Sequence, residues 1–285
     1  MLLSSSGFIN YNKESGISSA AAVSFVKRLS GIPCGHMGTL DPLASGVLPV
    51  AVGNASRLFN YLLDKQKVYR AVFRFGTETD TLDCTGETLQ SGLPVPSQEA
   101  VCAALPAFIG DIEQVPPQYS AKSVGGVRAY KLARQGVKAE LAPKAVRIDF
   151  IDCVRQVSDD SFEFLIGCGG GTYIRSLARD IAARCGTCAV MTSLIREKSG
   201  VFCIENSVTR ARLQEEGWEK FLIPPQDAFS MPELFYEGRE AERLMQGQRL
   251  ACGQPEGEYK LFFGGGFYGI AEVKDGCVRA KVKLI

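Results

Sequence analysis

Three segments carry residues whose types and spacing could do chemistry. In GHMGTLDPLASGVLPV, residues 35–50, a single acid, Asp41, stands among glycines and prolines. The residue before a proline is pushed toward extended backbone, so Asp41 is expected on a fixed loop and not in a helix. A carboxylate held there between apolar neighbours is partly shielded from water, which strengthens any electrostatic partner it meets. Two readings stand at this point: a functional acid, and an Asp-Pro turn starter. In CGGGTYIRSLARDIA, residues 168–182, three glycines precede a helix, with Tyr173 and Arg175 in its first turn. Such a turn can present backbone N–H groups to a phosphate, or simply let a strand pack closely on a helix. In the third segment, residues 67–75, Tyr69 lies on an alternating strand, where core and site roles are both open.

Other residue types narrow the chemistry further. The chain has one histidine, His36, so a hydrolase triad has one position for its base, and metal sites built from several histidines are excluded. No phosphate-binding P-loop motif occurs. Ten cysteines in 285 residues are too sparse and too irregular for a disulfide scaffold. Cys185 and Cys188 form a C-x-x-C pair, but at the exit of a helix and not at its start, where a thioredoxin-like site would stand. A structural zinc there would need two further thiolates. Reduced, partly buried cysteines are the expectation, and the chemistry falls to carboxylate, arginine and tyrosine.

The elements that must position these groups are readable from periodicity. A strand is predicted at 7–11, then a helix from Ser18 through Leu29 closed by Gly31, with a Ser N-cap and a Gly C-cap. Residues 34–48 read as a loop punctuated by Gly and Pro, 50–52 as a buried strand and 55–63 as a helix. Alternation predicts a strand at 68–75, a polar loop follows at 77–87, and 97–109 reads as a helix interrupted by Pro106. Two adjacent strands, 144–157 and 161–168, are joined by the Ser158-Asp159-Asp160 turn, and 172–184 is an amphipathic helix. Strand-like stretches recur at 190–195 and 201–204, then a helix near 208–216. Pro224, Pro225 and Pro232 mark a linker to a compact tail with strands at 258–263, 267–273 and 278–284. The sum is an α+β fold with a mixed, mostly antiparallel sheet and a small β-rich C-terminal module.

With 46% hydrophobic and 22% charged residues and a net charge of +1, wholesale disorder is excluded. No apolar run approaches the roughly 18 residues that cross a bilayer. The opening MLLSSSGFINYNK has no basic segment ahead of an apolar one, so no signal peptide is expected and the location is cytoplasmic. The neutral total hides an asymmetry. Between residues 120 and 147, Lys122, Arg128, Lys131, Arg134, Lys138, Lys144 and Arg147 face one acid, Glu140, with Tyr119 and Tyr130 interleaved. Basic residues with aromatics attract phosphate backbones and unstacked bases, although a solvated helix face reads the same way on charge alone. Pro116-Pro117 and Gly125-Gly126 point to a projecting, partly mobile insertion.

Taken together, HMGTLDPLASGVLP, KVYRAVFRFGTETDTLDCTGE, PPQYSAKSVGGVRAYKLARQG and GTYIRSLARDIA resemble the bacterial TruB family of pseudouridine synthases, which act on the T-loop of tRNA. The matching motifs run in family order over residues 7–202. The DPLASG continuation is similar to members that stand alone and unlike the guide-RNA-dependent relatives. The resemblance implies a pseudouridine synthase domain over residues 1–230, with a basic thumb insertion at about 120–147. It also implies a PUA-like RNA-binding module over 231–285, a weaker match. It implies isomerisation of uridine 55, with Asp41 as the nucleophile, attacking the sugar C1′ or the base C6. Tyr69 would stack on the flipped base and assist proton removal, and Arg175 would pair with the aspartate. Tyr173 and Leu194 would line the pocket, and His36 would help hold the splayed T-loop. Arg57, Lys122, Arg128 and Lys131 would contact RNA. No cofactor and no metal are implied, the partner is the tRNA T-arm, no membrane is involved, and a monomer is expected.

The resemblance has departures. Gly169 and Gly170 stand where family members often carry Ser-Lys, Arg57 where a lysine is common, and Met37 where a small polar residue sits beside His36. Cys185 and Cys188 are outside the family pattern.

Overall fold

The structure, a computed structural model, describes residues 6–63, 65–120, 122–137 and 139–284. Lys138, one of the seven basic residues of the insertion, and residues 1–5 of the opening segment lie outside the described residues. The chain divides into two compact units. One comprises Met1–Asp41, Val47–Leu63 and Gly200–Ile285, the other Pro42–Gly46 and Asp64–Ser199.

In the first unit the strand Gly7–Lys13 neighbours Ser45–Val52, which also pairs antiparallel with Cys34–His36. The helix Ser19–Ser30 lies between as predicted: the Ser18 side chain accepts the Ala21 N–H, and Gly31 closes the far end on the Lys27 carbonyl. Phe8, Val47, Leu58, Phe202 and Phe229 share one apolar core. The C-terminal part builds its own five-stranded sheet from Glu233–Tyr236, Gly257–Phe263, Gly266–Lys274, Cys277–Lys283 and Leu250–Ala251. Leu234, Leu244, Leu261, Tyr268 and Val278 form a separate core on it.

In the second unit the strand Lys67–Phe75 runs antiparallel to both Ala189–Ser199 and Ser161–Cys168. The hairpin Lys144–Ser158 to Ser161–Cys168 extends this sheet, and Gly110–Gln114 closes its edge against Lys144 to Ile148. The predicted alternation holds: Tyr69, Ala71, Phe73 and Phe75 are buried, and the rings of Phe73 and Phe164 pack 4.6 Å apart. The helix Ile174–Arg184 follows the glycine turn. The class is the expected one, mixed α/β with a mixed sheet and a β-rich C-terminal module.

Some local expectations need correction. Residues 34–48 are not one loop. The strands Cys34–His36 and Ser45–Val52 occupy both of its ends, because strand pairing overrides the glycine and proline punctuation. The prolines near 224 do not make a free linker. Pro225–Ala228 is a 3-10 turn that drives Ala228 and Phe229 into the core beside Phe8. The polar loop after Phe75 begins with a short strand, Thr77–Thr79, paired with Thr88–Ser91. No helix among the described residues is long and apolar enough to cross a membrane.

Candidate active site

The backbone on either side of Asp41 is held by specific bonds. Before it, the buried Ser19 hydroxyl donates to the Leu40 carbonyl and accepts the Leu40 N–H, both at 2.8 Å, so one side chain fixes both polar groups of the preceding residue. Met37 is buried in the first unit's core, and its N–H bonds the Pro49 carbonyl at 2.9 Å. After Asp41, Ser45 and Gly46 pair in parallel with Ile195 and Arg196. Gly46 has φ +97°, and a Cβ there would collide with the Arg196 carbonyl oxygen. Only glycine fits. Asp41 itself is half-buried. His36, also half-buried, ends its short strand opposite Val50.

Tyr69 sits on Lys67–Phe75 opposite Ile166 on one side and the fully buried Arg196 on the other. Leu194 lies opposite Ala71, two positions along the same face, so the register brings Tyr69 and Leu194 together as diagonal neighbours. Both are only 7% exposed. Arg175, 5% exposed, is the second residue of its helix. It donates to the Thr81 carbonyl at 2.8 Å and to the Tyr119 carbonyl at 2.9 Å, and its guanidinium lies 3.7 Å from the Asp83 carboxylate. The other oxygen of that carboxylate accepts the hydroxyls of Thr81 and Thr85 and the Thr85 N–H, at 2.9, 2.6 and 3.0 Å. A buried pair with its lone pairs satisfied in this way can hold a guanidinium in one pose.

Three roles in this arrangement are not visible in the sequence. Asp83 has one. Its signal lies in TDTLDCTGE, where acids alternate with threonines that bond nearby backbone. Gln114 has the second. It is 1% exposed, its amide nitrogen donates to the Tyr173 carbonyl at 3.1 Å, and its amide oxygen accepts the Tyr173 N–H at 2.8 Å. That clamp indexes the start of the Arg175 helix to the Gly110–Gln114 strand. Tyr119, read from the sequence only as an aromatic beside basic residues, has the third, through its carbonyl. Tyr173, predicted in the first helical turn, is the N-cap residue. In the glycine turn, Lys144 Nζ lies 2.5 Å from where a Cβ of Gly171 would stand, so an ammonium covers the turn although positions 169 and 170 carry none.

The basic insertion has structure of its own. Ser123–Val124 pairs with Val127–Arg128 around Gly125-Gly126, and Ala129–Arg134 is a short helix. Ala129, Ala139 and Leu141 make a small core under it. Arg128, Lys131 and Arg134 are exposed or nearly so, Lys122 is half-buried, and Arg134 lies 5.6 Å over the Tyr130 ring. At its base Gln118 donates to the Ala139 carbonyl and accepts the Ala139 N–H, at 2.9 and 2.8 Å. Arg57, in contrast, donates to the Lys283 carbonyl at 2.6 Å, so its guanidinium braces the last strand. Burial pushes both the Cys185 and Cys188 thiols above their ordinary pKa.

Comparison with known proteins gives the family of the chain. Residues 27–174 match the N-terminal domain of the TruB family pseudouridylate synthases. The tRNA pseudouridine synthase B of Acaryochloris marina is 40% identical over 286 residues, 98% of each chain. That of a Synechocystis strain is 42% identical over 252 residues, 86% of this chain and 85% of that one. Among solved structures, a Cbf5-Nop10-Gar1 complex matches with a TM-score of 0.73 at 23% identity, covering 98% of this chain and 85% of that one. An H/ACA RNP bound to a substrate RNA containing 2'-deoxyuridine matches with a TM-score of 0.72 at 21% identity, over the same shares. These two establish likeness of fold. The chain belongs to the TruB family of pseudouridylate synthases, and it is an isomerase.

Proposed function

We propose that the chain converts uridine 55 in the tRNA T-loop to pseudouridine, without a guide RNA. The observation that carries this reading is the agreement with a relative named tRNA pseudouridine synthase B across 98% of the length, together with an acid, Asp41, fixed on both flanks. A simple RNA-binding module has no use for such an acid.

The reaction is an isomerisation. The N1–C1′ bond breaks, a C5–C1′ bond forms, a proton leaves C5 and one is taken up at N1. No electrons are gained or lost. Asp41 attacks as a carboxylate, at C1′ or at C6, with Arg175 as its partner. The target base must leave its stack at a cost of a few kcal/mol, and the Tyr69 face recovers part of that. Tyr173 and Leu194 line the pocket, and His36 holds the opened loop. Arg128 and Lys131, with Lys122, close on the phosphate backbone and supply much of the affinity, and Arg57 adds to it. Lys144, over the glycine turn, supplies a charge that Gly169 and Gly170 do not. Residues 231–285, with their own sheet and core, serve as a second RNA-binding module beside a catalytic domain spanning 1–230.

The test is incubation of the pure protein with T-arm transcripts and mapping of pseudouridine at single-nucleotide resolution. Conversion at one T-loop uridine in the absence of any other RNA is expected. No conversion, or conversion only when a guide is added, overturns the reading.

A further inference from the structure

The helix that carries Arg175 starts without a cap of its own. Its N-cap residue is Tyr173, whose side chain makes no capping bond, and no acid stands in the first turn. Ser, Thr, Asp or Asn at that position would satisfy an exposed N–H and fix the first turn, and without one a helix end frays. What holds this start comes from a strand. Gln114, 1% exposed, brackets Tyr173: its amide nitrogen donates to the Tyr173 carbonyl at 3.1 Å and its amide oxygen accepts the Tyr173 N–H at 2.8 Å. The same carbonyl accepts the Leu177 N–H at 3.1 Å, so the strand side chain and the helix ladder meet on one atom. Further along, the Val115 carbonyl accepts the Ser176 hydroxyl at 2.8 Å and the Arg179 guanidinium at 3.1 Å. Gln114 is itself the last paired residue of its strand, opposite Lys144, before Pro116 and Pro117 carry the chain away. The sheet therefore sets where the helix begins. Arg175 stands two residues after Tyr173, and its guanidinium must reach the Thr81 and Tyr119 carbonyls on two other segments.

We propose that Gln114 is a positioning residue for the reaction: it stands in for the missing cap and holds Arg175, with Tyr173 beside it, in the pose the chemistry needs. A serine or aspartate at position 173 would cap the helix locally but would displace the tyrosine proposed to line the pocket. A glutamine on the neighbouring strand fixes the backbone of that residue and leaves the position to an aromatic ring. Without Gln114 the first turn loosens, the Arg175 backbone shifts, and the guanidinium no longer spans both carbonyls.

The inference rests on the proposed role of Arg175, so Arg175→Met is measured alongside. Gln114→Met keeps the size of the side chain and removes both bonds. It should lower the single-turnover rate of pseudouridine formation at saturating tRNA by about tenfold or more, since misplacing a reacting group by ~1 Å costs up to ~100-fold. Affinity for tRNA should be unchanged. Gln114→Asn, which keeps the amide on an arm too short for both bonds, should fold and lose rate to a similar degree. Ser176→Ala removes a bond from the same helix to the same strand and controls for mere loosening: its thermal midpoint should fall about as far as that of Gln114→Met, with a rate near wild type. Combined with Arg175→Lys, Gln114→Met should cost much less than it does alone, because the group it positions is already altered. A wild-type rate for folded Gln114→Met or Gln114→Asn, an equal rate loss in Ser176→Ala, or losses that multiply in the double variant overturns the role of Gln114. If Arg175→Met turns over normally, the reading of Arg175 fails and this one with it. If Arg175→Met is inactive and the Gln114 variants are normal, only the role of Gln114 fails.

Discussion

The segment around Asp41 and the basic insertion are both written in glycine, proline and small polar residues, yet the chain secures them in different ways. The Asp41 segment leans on elements outside itself. Ser19 at a helix start holds Leu40, and the Ala189–Ser199 strand takes Ser45 and Gly46 into its register. The insertion leans chiefly on itself, through Ala129, Ala139 and Leu141 and the Gln118 clamp. A nucleophile, the role proposed for Asp41, must be placed to within a fraction of an ångström of the reacting atom, and fixed flanks favour that. A surface that tracks a phosphate backbone tolerates looser placement, and a small local core is enough.

The contrast is most exposed at the acid. Asp41→Asn removes the charge and little volume, so turnover should fall by ~10^4-fold or more while tRNA affinity and thermal midpoint stay at wild type. Substantial residual conversion under single-turnover conditions would remove Asp41 from the chemistry.

Tyr69→Phe probes the same rigid side. A tyrosine that is merely core loses a hydroxyl and keeps its function. One whose hydroxyl assists proton removal should keep its stability and RNA affinity and lose about 100-fold in rate. Thermal midpoint and single-turnover rate, measured together, separate the two.

Gly46→Ala tests whether the loop needs its strand. The left-handed φ and the clash with the Arg196 carbonyl should cost about 1–3 kcal/mol in stability. Turnover should drop further than stability alone explains, because the exit of the Asp41 loop must shift. A variant as stable and active as wild type shows that the loop is placed by other means.

The mildest effect is expected on the insertion. Replacing Arg128, Lys131 and Arg134 by glutamine should weaken tRNA binding and flatten its salt dependence by about 0.9 unit for each phosphate no longer neutralised. The rate at saturation should be nearly unchanged. An unaltered salt slope counts against a clamp.

Much of the scaffold on the rigid side is legible in residue order. The alternation of Lys67–Phe75 places Tyr69 on the buried face, and Ser18 and Gly31 mark the helix that holds Leu40. Asp41 stands out because its surroundings are so poor in other chemistry. The strand Cys34–His36 and the first half of Ser45–Val52 are not legible, since the one is three residues long and Gly46 in the other is selected by a neighbour far along the chain. The roles of Gln114, Asp83 and Tyr119 escape for a related reason. Each acts on the backbone or the charge of a residue brought near only by folding, so local spacing shows at most the tight loop around Asp83 and never the partner.

The roots of the insertion leave the sheet from paired strands, with Gln114 opposite Lys144, and Gln118 joins Ala139 a short way out. Its ends are thus held together whatever lies between them. Loop-closure entropy rises only with the logarithm of length, about 0.6 kcal/mol for each doubling. Residues can therefore be inserted or deleted between Gln118 and Ala139 at small thermodynamic cost, without disturbing the register of the strands beneath. The segment proposed to meet RNA can drift in length and charge across evolution, or be exchanged by design, while the paired strands beneath it stay as they are.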